Sequence, residues 1–202
     1  MIPKLIYFPI GGRALPIRNA FKIGKIAFED VHVTGQEFGE AKAAGKYTFG
    51  AVPVLMLGDE QISQSNAILT WVGKQANLYP TDIKQAMYVD EVLCAVEDAG
   101  GMIGPTIHEK DETKKLQMRK ELVEGKLNAW LGGLNKLAQR NGDNGFFVGN
   151  SGTVADLKAN GLLNWLTSGI LDGIPKTILD GFPSLIKAKE VGNKWIAEAT
   201  AQ

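Results

Sequence analysis

The stretch VPVLMLGDEQISQS, Val52 to Ser65, decides how the chain is read. It opens on an X-Pro bond, continues as a short apolar strand, turns at Gly58-Asp59, and returns as a second strand. It closes on a polar pair, Gln64-Ser65, at the start of a helical pattern. Such a segment offers two anchors for one small extended peptide. The residue before a buried proline presents its backbone amide and carbonyl. A helix beginning at Ser65 presents unpaired amides and the positive end of its dipole, which suits a carboxylate. Ser65 also reads as a plain N-cap, and the two roles are compatible.

Upstream, residues 4–8 (KLIYF) read as a buried strand broken by Gly11-Gly12. Arg13 to about Ile23 reads as a helix, with Ala14, Ile17, Ala20 and Phe21 at helical spacing. Pro16 places the helix start near Gly12 or Arg13. A second strand covers Phe28 to Val33, a weak helical pattern covers 36–46, and a helix runs from Ser65 to about Gln75. The order β-α-β-α-β-β-α is that of a thioredoxin-like domain. After residue 77 the strand signals largely stop. Residues 82–104 and 113–140 carry apolar stripes at three- and four-residue spacing. Thr153 to Asp156 spells a capping box ahead of LKANGLLNWL, and Phe182-Pro183 and Trp195 belong to a final short helical section. The fold class is therefore α/β plus all-α: a thioredoxin-like domain over 1–77 and an all-helical domain over 82–202.

Composition narrows the function. Lys plus Arg and Asp plus Glu number 22 each, so nothing clusters positive charge for nucleic acid. No apolar run reaches the roughly 18–20 residues that span a bilayer, and the N-terminus does not read as a signal peptide. The single cysteine, Cys94, excludes an internal disulfide framework, fits a reducing, cytoplasmic compartment, and reads as a small core residue in a helical stripe. Two histidines and one cysteine make a zinc site improbable, so no metal is expected. Residues 1–80 contain no cysteine, so a reactive sulfur in that domain must come from a ligand.

LIYFPIGGRALPIR (5–18), FGAVPVL (49–55), SQSNAI (63–68) and FFVGNSGTVADL (146–157) stand in one order and spacing. In these motifs the chain resembles a cytosolic glutathione transferase of the tyrosine type, closest to the sigma class. The resemblance implies that Tyr7 is the catalytic tyrosine and that Arg13 lies beside the thiol. It places Phe38 over the glycyl end of glutathione and Lys42 on the glycine carboxylate. Ala51 belongs to the glutathione-binding set, the Val52 backbone meets the cysteinyl moiety, Pro53 follows a cis bond, and Gln64 and Ser65 take the γ-glutamyl carboxylate. Asp98 reaches the glutathione of a neighbouring subunit. Ile10, Gly11, Met102 and Pro105 are expected to line the hydrophobic substrate site. The implied partners are glutathione as co-substrate, an apolar electrophile and a second copy of the chain, with Phe49 where some classes insert an aromatic key.

The chemistry asks for such a tyrosine. A free thiol has a pKa of roughly 8.5, while the thiolate is the nucleophile. A hydroxyl that donates to sulfur favours the charged form without adding charge of its own. Arg13, a cation near a helix start, opposes the dipole, so helix propensity does not account for it. Taken singly, Tyr7 reads better as an ordinary strand aromatic, Asp98 reads equally as a solvated helix residue, and Thr153 with Asp156 read better as structural. The alternatives are a non-catalytic relative acting as a structural protein or hydrophobic-ligand carrier, a glutathione-dependent peroxidase, and a prostaglandin isomerase. The segment GGMIGPTIH (100–108) lacks the aromatic that the isomerases carry there.

Overall fold

The computed structural model describes residues 2–201. Among these the chain divides into two compact units, one ending at Pro80 and one running from Thr81 to Glu198.

The first unit is built on four strands: β1 (Lys4–Tyr7), β2 (Glu29–His32), β3 (Val54–Leu57) and β4 (Glu60–Ser63). Their order is β2-β1-β3-β4, with β1 parallel to β2 and antiparallel to β3. A 3-10 turn, Gly12–Ala14, leads into α1 (Leu15–Ile23), with Pro16 in its first turn where no amide partner is lost. Helix α2 (Gly35–Ala43) starts at a capping box that the sequence reading missed: Thr34 Oγ1 accepts from the Glu37 amide, and Glu37 accepts from the Thr34 amide. Helix α3 spans Ser65–Gln75. Ile17 and Phe21 of α1, Ile68 and Val72 of α3, and Leu5, Val54 and Leu55 of the sheet are fully buried. Helices α1 and α3 pack on one another, and the whole is the expected β-α-β-α-β-β-α order.

The second unit is helical: α4 (Ile83–His108), α5 (Glu112–Glu124), α6 (Lys126–Arg140), α7 (Val154–Thr167) and α8 (Pro183–Thr200). The long stripe over 113–140 is two helices, because Gly125 breaks it with a backbone of φ −126° and ψ −109°. The final helical section is not short; α8 has 18 residues. Cys94 is exposed rather than buried. Val89, Val92, Leu93 and Val96 take the inward positions of α4, and the residue after Leu93 is turned about 100° away.

Helix α7 is buried on nearly every side, so its polar residues must find partners. Lys158 pairs with Glu97 of α4 at 2.8 Å. Asn160 donates to the Lys189 carbonyl and to Asn193 of α8. Asp156 accepts from the amides of Phe147 and Thr153 and from the Thr153 hydroxyl. The capping box read from sequence is therefore present, and it also ties the preceding loop to the helix.

Candidate functional site

The sheet register gathers the candidate residues. Ile6 of β1 faces Val54 of β3, so Tyr7, ending β1, lies beside the start of β3, where Pro53 sits. Val54 in turn faces Ser63, so the chain leaves β4 at the same end and enters α3 through Gln64 and Ser65. One end of the sheet thus collects Tyr7, the Val52–Pro53 bond, Gln64 and Ser65. The Val52–Pro53 bond is cis, as the resemblance implied. Pro53 and Ser65 are buried, Val52 is half-buried, and Ala51 and Gln64 are exposed.

Ser65 is not the cap of α3. The residue before the helix is Gln64, held at φ +75°, and Ser65 is the first helical residue. A non-glycine residue in left-handed backbone is uncommon and costs energy. Here it turns the chain sharply from β4 into α3 at the point where the two polar side chains stand.

Tyr7 is buried, with its ring edge-on to Phe8 at a centroid distance of 5.4 Å. Its hydroxyl oxygen accepts from the Arg13 amide at 3.3 Å. A hydroxyl has one hydrogen to donate, and no acceptor for it is found among the described residues. Gly12, at φ +44°, makes room for this arrangement: a Cβ there would lie 2.6 Å from the Tyr7 hydroxyl oxygen. Arg13 is exposed and lies in the 3-10 turn, one step ahead of α1.

An aromatic chain extends from Tyr7. Phe8 meets Phe38 of α2 edge-on at 5.3 Å, and Phe38 stacks with Tyr47 at 6.2 Å. Tyr47 is buried, and burial first, then the nearby Glu37 charge, pushes its phenol up from the ordinary value. Lys42 stands one turn after Phe38. Its methylene stem runs past Gly50, where an added Cβ would come within 3.3 Å of it. Thus Phe38 and Lys42 present one face of α2, and Tyr47 and Gly50, which the sequence reading did not single out, support them.

Arg18 was also missed. Its guanidinium is paired with Asp30 of β2 at 2.9 Å and donates to the backbone carbonyls of Phe8 and Ile10. A sequence signal was present: position 18 falls on the apolar stripe formed by Ala14, Ile17 and Phe21.

Of the four residues expected at the hydrophobic site, Ile10 and Gly11 belong to the β1–α1 loop of the first unit, and Ile10 is exposed. Met102 and Pro105 belong to α4 of the second. With Thr106, Met118, Glu121, Leu122, Gly125 and Lys126 they line a cavity of about 370 Å³. Asp98, four residues before Met102 on α4, is exposed. Among the described residues no helix is long and apolar enough to cross a membrane.

Known proteins agree with this architecture. Residues 97–193 match the family model described as glutathione S-transferase, C-terminal domain. The chain is 33% identical over 154 residues to a protein of Dirofilaria immitis named glutathione S-transferase, covering 76% of this chain and 71% of that one. A Pi-class glutathione S-transferase of Onchocerca volvulus superposes with a TM-score of 0.82 at 28% identity, over 98% of this chain and 91% of the other. A prostaglandin synthase D of Nilaparvata lugens superposes at 0.83 over 96% of this chain and 93% of the other, but at 22% identity that likeness shows the fold alone. The thioredoxin-like unit followed by an all-helical unit, together with these relatives, shows that the chain belongs to the glutathione S-transferases.

Proposed function

We propose that the protein conjugates glutathione to apolar electrophiles, in the manner of a tyrosine-type, sigma-like transferase. The observation that supports the reading is the Tyr7 hydroxyl, which accepts from the Arg13 amide and has no acceptor for its own hydrogen among the described residues. A proton donated from Tyr7 lowers the pKa of a bound thiol because it stabilises the thiolate more than the thiol. The accepted bond from Arg13 polarises the hydroxyl and strengthens that donation. Gln64, Ser65 and the first turn of α3 would hold the γ-glutamyl carboxylate, Val52 the peptide backbone, and Phe38 and Lys42 the glycyl end. Rate acceleration comes from thiolate stabilisation and from juxtaposition, with no covalent intermediate on the protein.

On this reading Ile10, Gly11, Met102 and Pro105 contact the electrophile, and a homodimer brings Asp98 to the neighbouring subunit's glutathione. The exposed ring of Phe49, with 65% of its surface open, fits a place in such a contact. The isomerase alternative is disfavoured because 100–108 carries no aromatic side chain.

The test is conjugation of glutathione to chlorodinitrobenzene by the wild type and Tyr7→Phe. Wild-type turnover that falls on substitution supports the reading. Turnover unchanged by the substitution removes Tyr7 from its role. Retention on immobilised glutathione without any turnover favours the carrier alternative.

A further inference from the structure

We infer that Arg18 is a positioning residue for Tyr7, acting through the β1–α1 loop; the inference rests on the proposed thiolate chemistry.

The loop from Phe8 to Gly11 has little of its own to hold it. Pro9 has no amide to donate, Ile10 is 60% exposed, and Gly12 is in left-handed backbone. The Gly11 carbonyl is occupied by the amides of Ala14 and Leu15, which start the helical turn. The carbonyls of Phe8 and Ile10, on either side of Pro9, both accept from the Arg18 guanidinium. The fork is spread across three groups at once: Nε faces both oxygens of Asp30, at 3.1 and 2.9 Å, while Nη1 and Nη2 reach the loop. The same guanidinium carbon lies 5.8 Å from the centre of the Tyr7 ring.

This residue is 9% exposed. A buried cation is costly unless paired, and Asp30 pairs it. A purely structural account would need only that pair. The two loop bonds and the contact with the Tyr7 ring go beyond it. They set the path from Tyr7 to Arg13, whose amide meets the Tyr7 hydroxyl. A lysine cannot reproduce the arrangement, because its three donors radiate from one nitrogen and do not form a rigid fork.

The experiment uses the full-length protein with glutathione and chlorodinitrobenzene. Wild type, Tyr7→Phe, Arg18→Lys, and the double variant Arg18→Met with Asp30→Leu are compared. The double variant removes both members of the Arg18–Asp30 pair, and the half-exposed His32, which also meets Asp30 at 3.2 Å, is left to solvent. Steady-state rates are read together with the pH titration of bound thiolate by its ultraviolet absorbance and with circular dichroism for folding. The expected result is folded protein with an unchanged KM for glutathione, kcat lowered roughly 10- to 100-fold, and the thiolate titration moved toward the free thiol. Folded variants with wild-type kcat and titration overturn the inference. A change in KM alone overturns it too, and so does failure of both Arg18 variants to fold, which assigns Arg18 a structural role only. Absence of thiolate and turnover in the wild type itself overturns the parent reading, independently of Arg18.

Discussion

The Arg13 amide donates to the Tyr7 hydroxyl oxygen across 3.3 Å. The two residues are six apart, and the intervening chain leaves a strand, crosses a proline and two glycines, and enters a helical turn. Tyr7→Phe removes both this bond and the hydrogen offered to sulfur. A hydrogen bond to a charged group is worth about 1.5–3 kcal/mol. The substitution should lower kcat about 10- to 100-fold and raise the apparent pKa of bound thiol by about 1–2 units. Stopped or steady-state conjugation across pH checks both.

Gly12→Ala should damage the same site without replacing a catalytic group. Its backbone sits at φ +44°, and the new methyl would fall 2.6 Å from the Tyr7 hydroxyl oxygen. Left-handed backbone costs a residue with Cβ roughly 1–2 kcal/mol. The expected outcome is folded protein with at least about 10-fold lower kcat, because the phenol must move. Wild-type turnover would mean that the loop yields freely.

Asp156 makes stability depend on pH. Burial raises its carboxyl from 3.8 to about 6, against the hydrogen bonds from Phe147 and Thr153, which favour the charged form. The folded protein therefore holds this proton more tightly than the unfolded chain. The associated stability is present below about pH 4 and is lost as pH rises through about 6. Asp156→Asn should flatten that part of the curve. Urea unfolding at a series of pH values between 4 and 7 should give a difference in slope between the two proteins. Parallel curves would contradict the assignment.

Gly152→Ala should destabilise the second unit. An added Cβ would lie 2.3 Å from the Trp195 ring of α8, and the indole has no flexible end to give way. Overpacking of this kind costs about 1–3 kcal/mol. Thermal unfolding should show a lowered Tm, with glutathione retention on an affinity matrix little changed.

Much of this protein follows from local pattern. The hairpin around Gly58-Asp59, the helix from Ser65 to Gln75 and the capping box at Thr153 and Asp156 each rest on turn chemistry, periodicity or a side chain meeting its own helix start. Those forces act over a few residues, so the sequence carries them openly. The two-part architecture follows because strand signals end where helical stripes take over.

What the chain brings together across distance was settled only by tertiary structure. Sheet register puts Tyr7, Pro53 and Ser65 at one end, though 58 positions separate the first from the last. Burial decides that Arg18, on the apolar stripe of α1, is a pinned fork between Asp30 and the loop. It decides the reverse for Cys94, whose neighbours Leu93 and Val96 claim the core-facing positions of α4. The break at Gly125 has the same origin, since an unbroken apolar stripe cannot say where a helix must turn to pack on its neighbours. Periodicity reports which residues can face a core; only packing reports which of them do, and what each buried charge must then hold.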